Sequence, residues 1–160
     1  MLIVIESVVM CFILLIICVI GISNGPIGLV NFYEKDVQDR VVELGLTTKK
    51  NIKRSFIIST IALFAPTIFG VPFMVYYING VTGFWSGFWQ VTIIFWIMGL
   101  FDRVFIDWYW VGHTKAWLIP GTEDLMPYVP KKTQYSKWIG TMIGYPILAA
   151  IISGVMMLFV

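Results

Sequence analysis

The sequence predicts an all-α polytopic membrane protein: four transmembrane helices, with an amphipathic cytosolic helix between the first and second. Three observations predict it. Hydrophobic residues make up 59% of the 160-residue chain and charged residues only 12%, where soluble domains carry about a quarter. Four stretches supply the roughly 20 apolar residues that a hydrocarbon core about 30 Å thick demands. Of the eleven Lys and Arg residues, ten lie in two connections and the eleventh, Arg103, lies close to one of them.

The first helix covers residues 2–22. It has no basic leader and no small-residue cleavage site after it, so a retained helix is expected rather than a removed signal peptide. Its one acid, Glu6, is expected to snorkel to the outer interface. Cys11 and Cys18 lie seven residues apart in it, about 10 Å of helical rise, too far for a disulfide within the chain, and read as packing residues. "SNGPIG" then marks a turn.

In "NFYEKDVQDRVVELGL", Val30, Val37, Val41 and Leu44 recur at helical spacing with charges on the other faces, which predicts an amphipathic helix. Asn31 is expected to cap it with Glu34 as capping-box partner. Asp36 and Arg40 are placed to pair, and Gly45 to end the helix. The membrane surface or the other cytosolic loop is its natural resting place.

The second helix, residues 56–78, contains Pro66 and Pro72 and is expected to kink or open locally. The short uncharged "NGVTGFWSG" makes it an antiparallel pair with the third, residues 88–111. The fourth, residues 138–160, carries Gly140 and Gly144 as a small-xxx-small pair for helix packing, against this chain or another copy. Aromatic residues gather at the borders, Trp85 and Trp89 on one side, Trp108, Tyr109 and Trp110 on the other. By the positive-inside rule, connections 23–55 and 112–137 face the cytosol and both termini face out. The whole chain, 1–160, forms one membrane domain. The basic residues are explained by topology, and no nucleic-acid partner is implied.

Counted back from the Trp108–Trp110 border, Asp102 lies about five to nine Å inside the hydrocarbon at 1.5 Å per residue. A bare carboxylate there costs up to about 2.5–3.5 kcal/mol, so it needs a partner, a proton or water. Arg103 and Asp107 share a face and form an expected structural ion pair. The face of Asp102 continues through Ile106 and Tyr109 to His113. In "WLIPGTEDLMPYVP", Thr122 is placed to cap a short helix with Glu123 and Asp124 in its first turn. The competing expectation gathers Asp107, His113, Glu123 and Asp124 into an oxygen-rich site with one nitrogen ligand, a set suited to a divalent cation. The single histidine excludes bis-His haem ligation within one chain, and with no Walker A motif a nucleotide cofactor is not expected.

"VQDRVVELGLTTKKNIKR", "FIDW" and "IPGTEDL" together resemble a group of small four-helix bacterial integral membrane proteins of uncharacterised function, over most of the chain. The resemblance implies a bacterial plasma membrane and a functional surface in the two cytosolic connections. It implies no reaction, cofactor or catalytic residue.

The leading expectation is a protein that binds or conducts an ion or small polar solute. Asp102 would be the intramembrane acid, and Asp107, His113, Glu123 and Asp124 the cytosolic mouth. An oligomer would assist conduction, through Gly140 and Gly144. Two other classes stay open. One is a membrane-embedded enzyme using the same carboxylates on a lipid-like substrate. The other is a non-catalytic accessory subunit that docks a membrane partner.

Overall fold

The computed structural model describes residues 2–160 and is all-helical, with 79% helix and no strand among the described residues. Four helices are long and apolar enough to cross a membrane: α1 (Leu2–Ile22), α3 (Lys49–Ile78), α4 (Phe84–Val111) and α5 (Lys131–Met156). Between α1 and α3 lie a 3₁₀ turn at Pro26–Phe32 and the amphipathic α2 (Lys35–Glu43).

Three of the long helices begin before their apolar stretches do. α3 starts at Lys49, seven residues ahead of the expected 56, because the Thr48 side chain accepts the Asn51 backbone N–H at 3.2 Å and caps it. α5 starts at Lys131, directly after Pro130, and α4 at Phe84, after a left-handed Gly83. Hydropathy marks where lipid begins, whereas capping and turn residues mark where the helix begins.

α2 buries Val37 and Val41 and ends as expected. Gly45 takes φ +70°, its N–H bonds the Val42 carbonyl, and the Leu46 N–H bonds the Val41 carbonyl, a Schellman closure. Its start differs from expectation. Glu34 precedes the helix without a side-chain cap. Asn31 instead bonds Ser59 at 3.0 Å and Ser55 at 2.9 Å on α3. Arg40 pairs with Asp124 rather than with Asp36.

The prolines of α3 open its backbone as expected. The stretches Pro66–Gly70 and Phe73–Ile78 are π-helical, with the Val71 N–H on the Pro66 carbonyl. A proline removes a donor and crowds the carbonyl four residues back, and a wider turn accommodates both. In α5 the wide turn Gly140–Gly144 stands just before Pro146.

α4 is the central helix: 39% of its apolar window is buried, against 22–28% in the others. Val91, Ile94 and Phe95 are fully buried, packed with Met10 of α1, Val71 and Val75 of α3, and Ala149 and Ile152 of α5. A second cluster lies at the end that carries both charged connections. There Val37 and Val41 of α2 join Cys18, Ile106, Trp117, Ile119 and Tyr128. Outward faces are apolar, as Ile143, Ile147 and Ile151 on α5 illustrate, which suits lipid as the solvent.

Gly140 and Gly144 do not form the packing seam within this chain, since a Cβ at either would meet nothing within 4 Å. The buried side of α5 carries Thr141, Ala149 and Ser153 instead. The close approach is at Gly99 of α4, where a Cβ would stand 2.6 Å from Tyr145 and 2.7 Å from Thr141. Gly99→Ala is therefore expected to lower stability in detergent by about 1–3 kcal/mol through overpacking. Gly140→Ala should be neutral or slightly stabilising, since glycine inside a helix costs about 0.5–1 kcal/mol relative to alanine. Thermal unfolding of the two variants decides it, and the reverse order would move the seam to Gly140.

Candidate functional site

Glu6 does not snorkel. It shares the buried stripe of α1 with Ser7, Met10 and Cys11 and is only 6% exposed. Its carboxylate accepts from the Asn79 side chain at 3.1 Å, and the same amide donates to Gln90 at 3.3 Å. This small polar group lies near the end of the bundle with the short 79–83 connection. From Gln90 to Asp102 along α4 is about 18 Å of helical rise, and the fully buried Val91, Ile94 and Phe95 lie between.

At the other end, the backbone of α4 widens into a π-helical stretch over Asp102–Val111. Such turns recur at functional sites. Three charged side chains project from it. Arg103 bonds Asp102 at 2.7 Å and also pairs with Asp107, one turn on. Lys137, 30 residues further along on α5, donates to both Asp107 oxygens, at 2.9 and 3.0 Å. The Arg103 Nε approaches Thr141 Oγ1 at 3.4 Å, and that hydroxyl donates to the Lys137 carbonyl at 3.1 Å. The four charged side chains are 12–31% exposed and sum to zero.

The sequence separates an Arg103/Asp107 stripe from an Asp102/Tyr109/His113 stripe. The folded chain joins the two acids through Arg103, whose forked guanidinium reaches both. Tyr109 and His113 do not join them. Tyr109 is exposed, and His113 is exposed with Nδ1 2.6 Å from the Trp108 carbonyl. Glu123 and Asp124 also stand elsewhere. Glu123 accepts the Gly121 backbone N–H at 2.9 Å, and Asp124 pairs with Arg40 of α2 at 3.3 Å. Among the described residues no three His, Cys, Asp or Glu side chains come close enough to hold a metal ion together. The fourfold set of Asp107, His113, Glu123 and Asp124 is thus not assembled, because each member has a nearer local partner.

The cluster forms one wall of a cavity of about 280 Å³. Leu14, Cys18, Phe32 and Leu63 supply an apolar wall, and Tyr33, Trp117 and Tyr128 an aromatic one. The aromatic side is built by Trp117 and Tyr128 of the loop after α4 meeting Tyr33 of the first connection. The Tyr33 hydroxyl donates to the Trp117 carbonyl at 2.7 Å, and its ring meets Tyr128 edge-on at 5.0 Å. Thr122 is fully buried here. Its hydroxyl bonds the Ile119 carbonyl and the Tyr128 hydroxyl, each at 2.8 Å, instead of capping the short 3₁₀ turn at Glu123–Leu125. The Trp117 indole N–H is buried without a hydrogen-bond partner among the described residues.

Among the lining residues, Lys137, Tyr33, Trp117 and Tyr128 are not site candidates from sequence, and Cys18 reads there only as a packing residue. Lys137 carried one signal: it is the last basic residue before an apolar helix, level with the Asp107 border. The other four look like ordinary core or interface residues until the loop folds back.

Removing one partner of a partly buried charge set leaves the others poorly compensated. Asp107→Asn, which strands Lys137 and half of Arg103, is expected to cost about 2–3 kcal/mol, between the exposed-pair and buried-pair ranges. Asp124→Asn breaks an exposed pair and should cost at most about 1 kcal/mol. Chemical denaturation in detergent compares them, and equal losses would show that the Asp107 cluster is solvated like a surface pair.

Burial, and secondarily Tyr128, raises the Tyr33 hydroxyl above the ordinary tyrosine pKa. The neutral form is favoured in the fold, so this stability is fully present below about pH 10 and is lost as pH rises through the higher folded value. Tyr33→Phe should flatten that alkaline decline while lowering stability at neutral pH by about 1 kcal/mol for the lost bond. Melting temperatures from pH 7 to 11 test both halves; an unchanged alkaline decline in the variant would exclude Tyr33 as its source.

No family model, no curated protein and no solved structure matches the chain.

Proposed function

We propose that the chain is a small integral membrane protein that binds a small polar or ionic solute in the cavity beside Asp102 and Asp107, and holds it without conducting it. The observation that carries this is the convergence of two carboxylates, a guanidinium and an ammonium on one wall of a 280 Å³ cavity. Clefts with a few placed polar groups among apolar and aromatic walls are the usual form of small-molecule sites. The positive-inside rule puts this end, with its ten basic residues in the two flanking connections, in the cytosol and both termini outside. The likeness of "VQDRVVELGLTTKKNIKR", "FIDW" and "IPGTEDL" to small bacterial membrane proteins favours a bacterial plasma membrane.

Holding is favoured over conduction by what separates the two polar ends. Ions cross where polar groups or water replace their hydration, and in the layer between the two polar ends Val91, Ile94 and Phe95 are fully buried, with the uncharged hydroxyls of Thr92 and Ser153 as the buried polar groups beside them. Binding at the cavity needs no path through that layer and no oligomer around one.

Protein extracted in mild detergent is expected to carry a non-covalently bound small molecule, about one per chain, in native mass spectrometry. Cys18→Leu, which pushes a larger side chain into the cavity, should lower its occupancy at least tenfold without unfolding the chain. Wild-type protein that is always bare would overturn binding. Proton or potassium flux into liposomes that Asp102→Asn abolishes would overturn holding in favour of conduction.

A further inference from the structure

We infer that the ligand of this cavity is the zwitterionic phosphate–ammonium head of a membrane lipid, an inference that rests on the binding function proposed above. The first support is charge balance. In their ionised forms Asp102 and Asp107 balance Arg103 and Lys137, two charges of each sign in side chains no more than 31% exposed. A ligand with net charge would leave one charge uncompensated in a poorly solvated site, which is costly. A ligand with one charge of each sign keeps the sum at zero and still meets a partner at each end.

The second support is where bonding capacity is spare. Asp107 is occupied by Arg103 and Lys137, whereas the Asp102 carboxylate has Arg103 as its one salt-bridge partner among the described residues. A carboxylate accepts several hydrogen bonds and a lysine ammonium donates three. The ammonium of the head would therefore bond Asp102, and its phosphate would bond Lys137. Trp117, 4% exposed, lines the same cavity with an indole N–H that has no acceptor. An indole N–H only donates, and a phosphate oxygen is the acceptor it lacks.

The third support selects a lipid over a free solute. About 280 Å³ lies just below the range of roughly 300–1,000 Å³ that holds a drug-sized ligand, which is room for a head but not for acyl chains. The lining also includes the apolar Leu14 of α1, Leu63 of α3 and Phe32. Phe32 is 45% exposed, so the apolar side of the cavity continues onto the outer surface of the bundle. Acyl chains would lie there, along α1 and α3, with the head turned inward.

The test uses the full chain, stripped of lipid in a neutral detergent, and equimolar phosphatidylethanolamine, phosphatidylglycerol and phosphatidic acid with matched chains. Native mass spectrometry is expected to show phosphatidylethanolamine retained at least fivefold over either anionic lipid. Trp117→Phe should weaken its retention about three- to tenfold in protein that stays folded by circular dichroism. Asp102→Asn, which removes the ammonium partner and leaves the site net positive, should reverse the preference towards phosphatidylglycerol, a change that a purely structural role would not produce.

Preference for an anionic lipid in the wild type, or an unchanged preference in Asp102→Asn, would overturn the charge-balance assignment. Soluble phosphoethanolamine binding as tightly as the lipid would overturn the lipid as its source. Retention of a different small molecule, with none of these lipids bound, would overturn the inference and leave the binding function standing. A chain bare of every molecule would overturn both.

Discussion

Asp107 accepts from Arg103 one turn back on its own helix and from Lys137 on α5, and the organisation of the charged end follows from that bridge. A poorly solvated carboxylate needs compensation, and here one partner comes from its own helix and the other from α5, which also meets α4 through Thr141 and through apolar contacts. Arg103, held by Asp107, can reach back to Asp102. Asp102, largely shielded from solvent, is thereby supplied with a counter-charge.

The bridge also accounts for the cavity. It draws four polar side chains to one wall, while the loop after α4 folds back and places Trp117 and Tyr128 opposite α1. α2 supports that loop twice, through Val37 and Val41 inside and through Arg40 to Asp124 at the surface. An amphipathic helix expected to rest on the membrane surface or against the other charged loop thus packs against that loop, under the end of the bundle. Towards the opposite end the core is mainly apolar, with the buried hydroxyls of Thr92 and Ser153 in it, until Glu6, Asn79 and Gln90. The chain thereby separates its two charged groups by a largely apolar layer.

The four spans were legible because hydropathy is a property of contiguous residues, and Gly45 because turn chemistry is local. The Arg103–Asp107 pair was legible for the same reason, its members being one helical turn apart. Lys137 was not, since nothing in the sequence says which two borders will meet 30 residues apart. Glu6 was misplaced because α1 is apolar on every side, so its pattern hides which face turns inward. Gly140 and Gly144 imitate a packing seam in spacing, while the working close approach is a single glycine, Gly99, that has no motif around it. His113, Glu123 and Asp124 look like ligands in sequence, yet each has a partner within a few residues or on α2.

A double-mutant cycle on Asp107→Asn and Lys137→Met, read by denaturation of the full chain in detergent, tests most directly whether this bridge organises the charged end. Contacting charged residues in one network couple by about 0.5–3 kcal/mol, and the geometry predicts a value in the upper half of that range, with the double variant more stable than the sum of the single losses implies. Additive losses, with coupling near zero, would mean that Asp107 and Lys137 are independently solvated and that the cavity wall is held by something else.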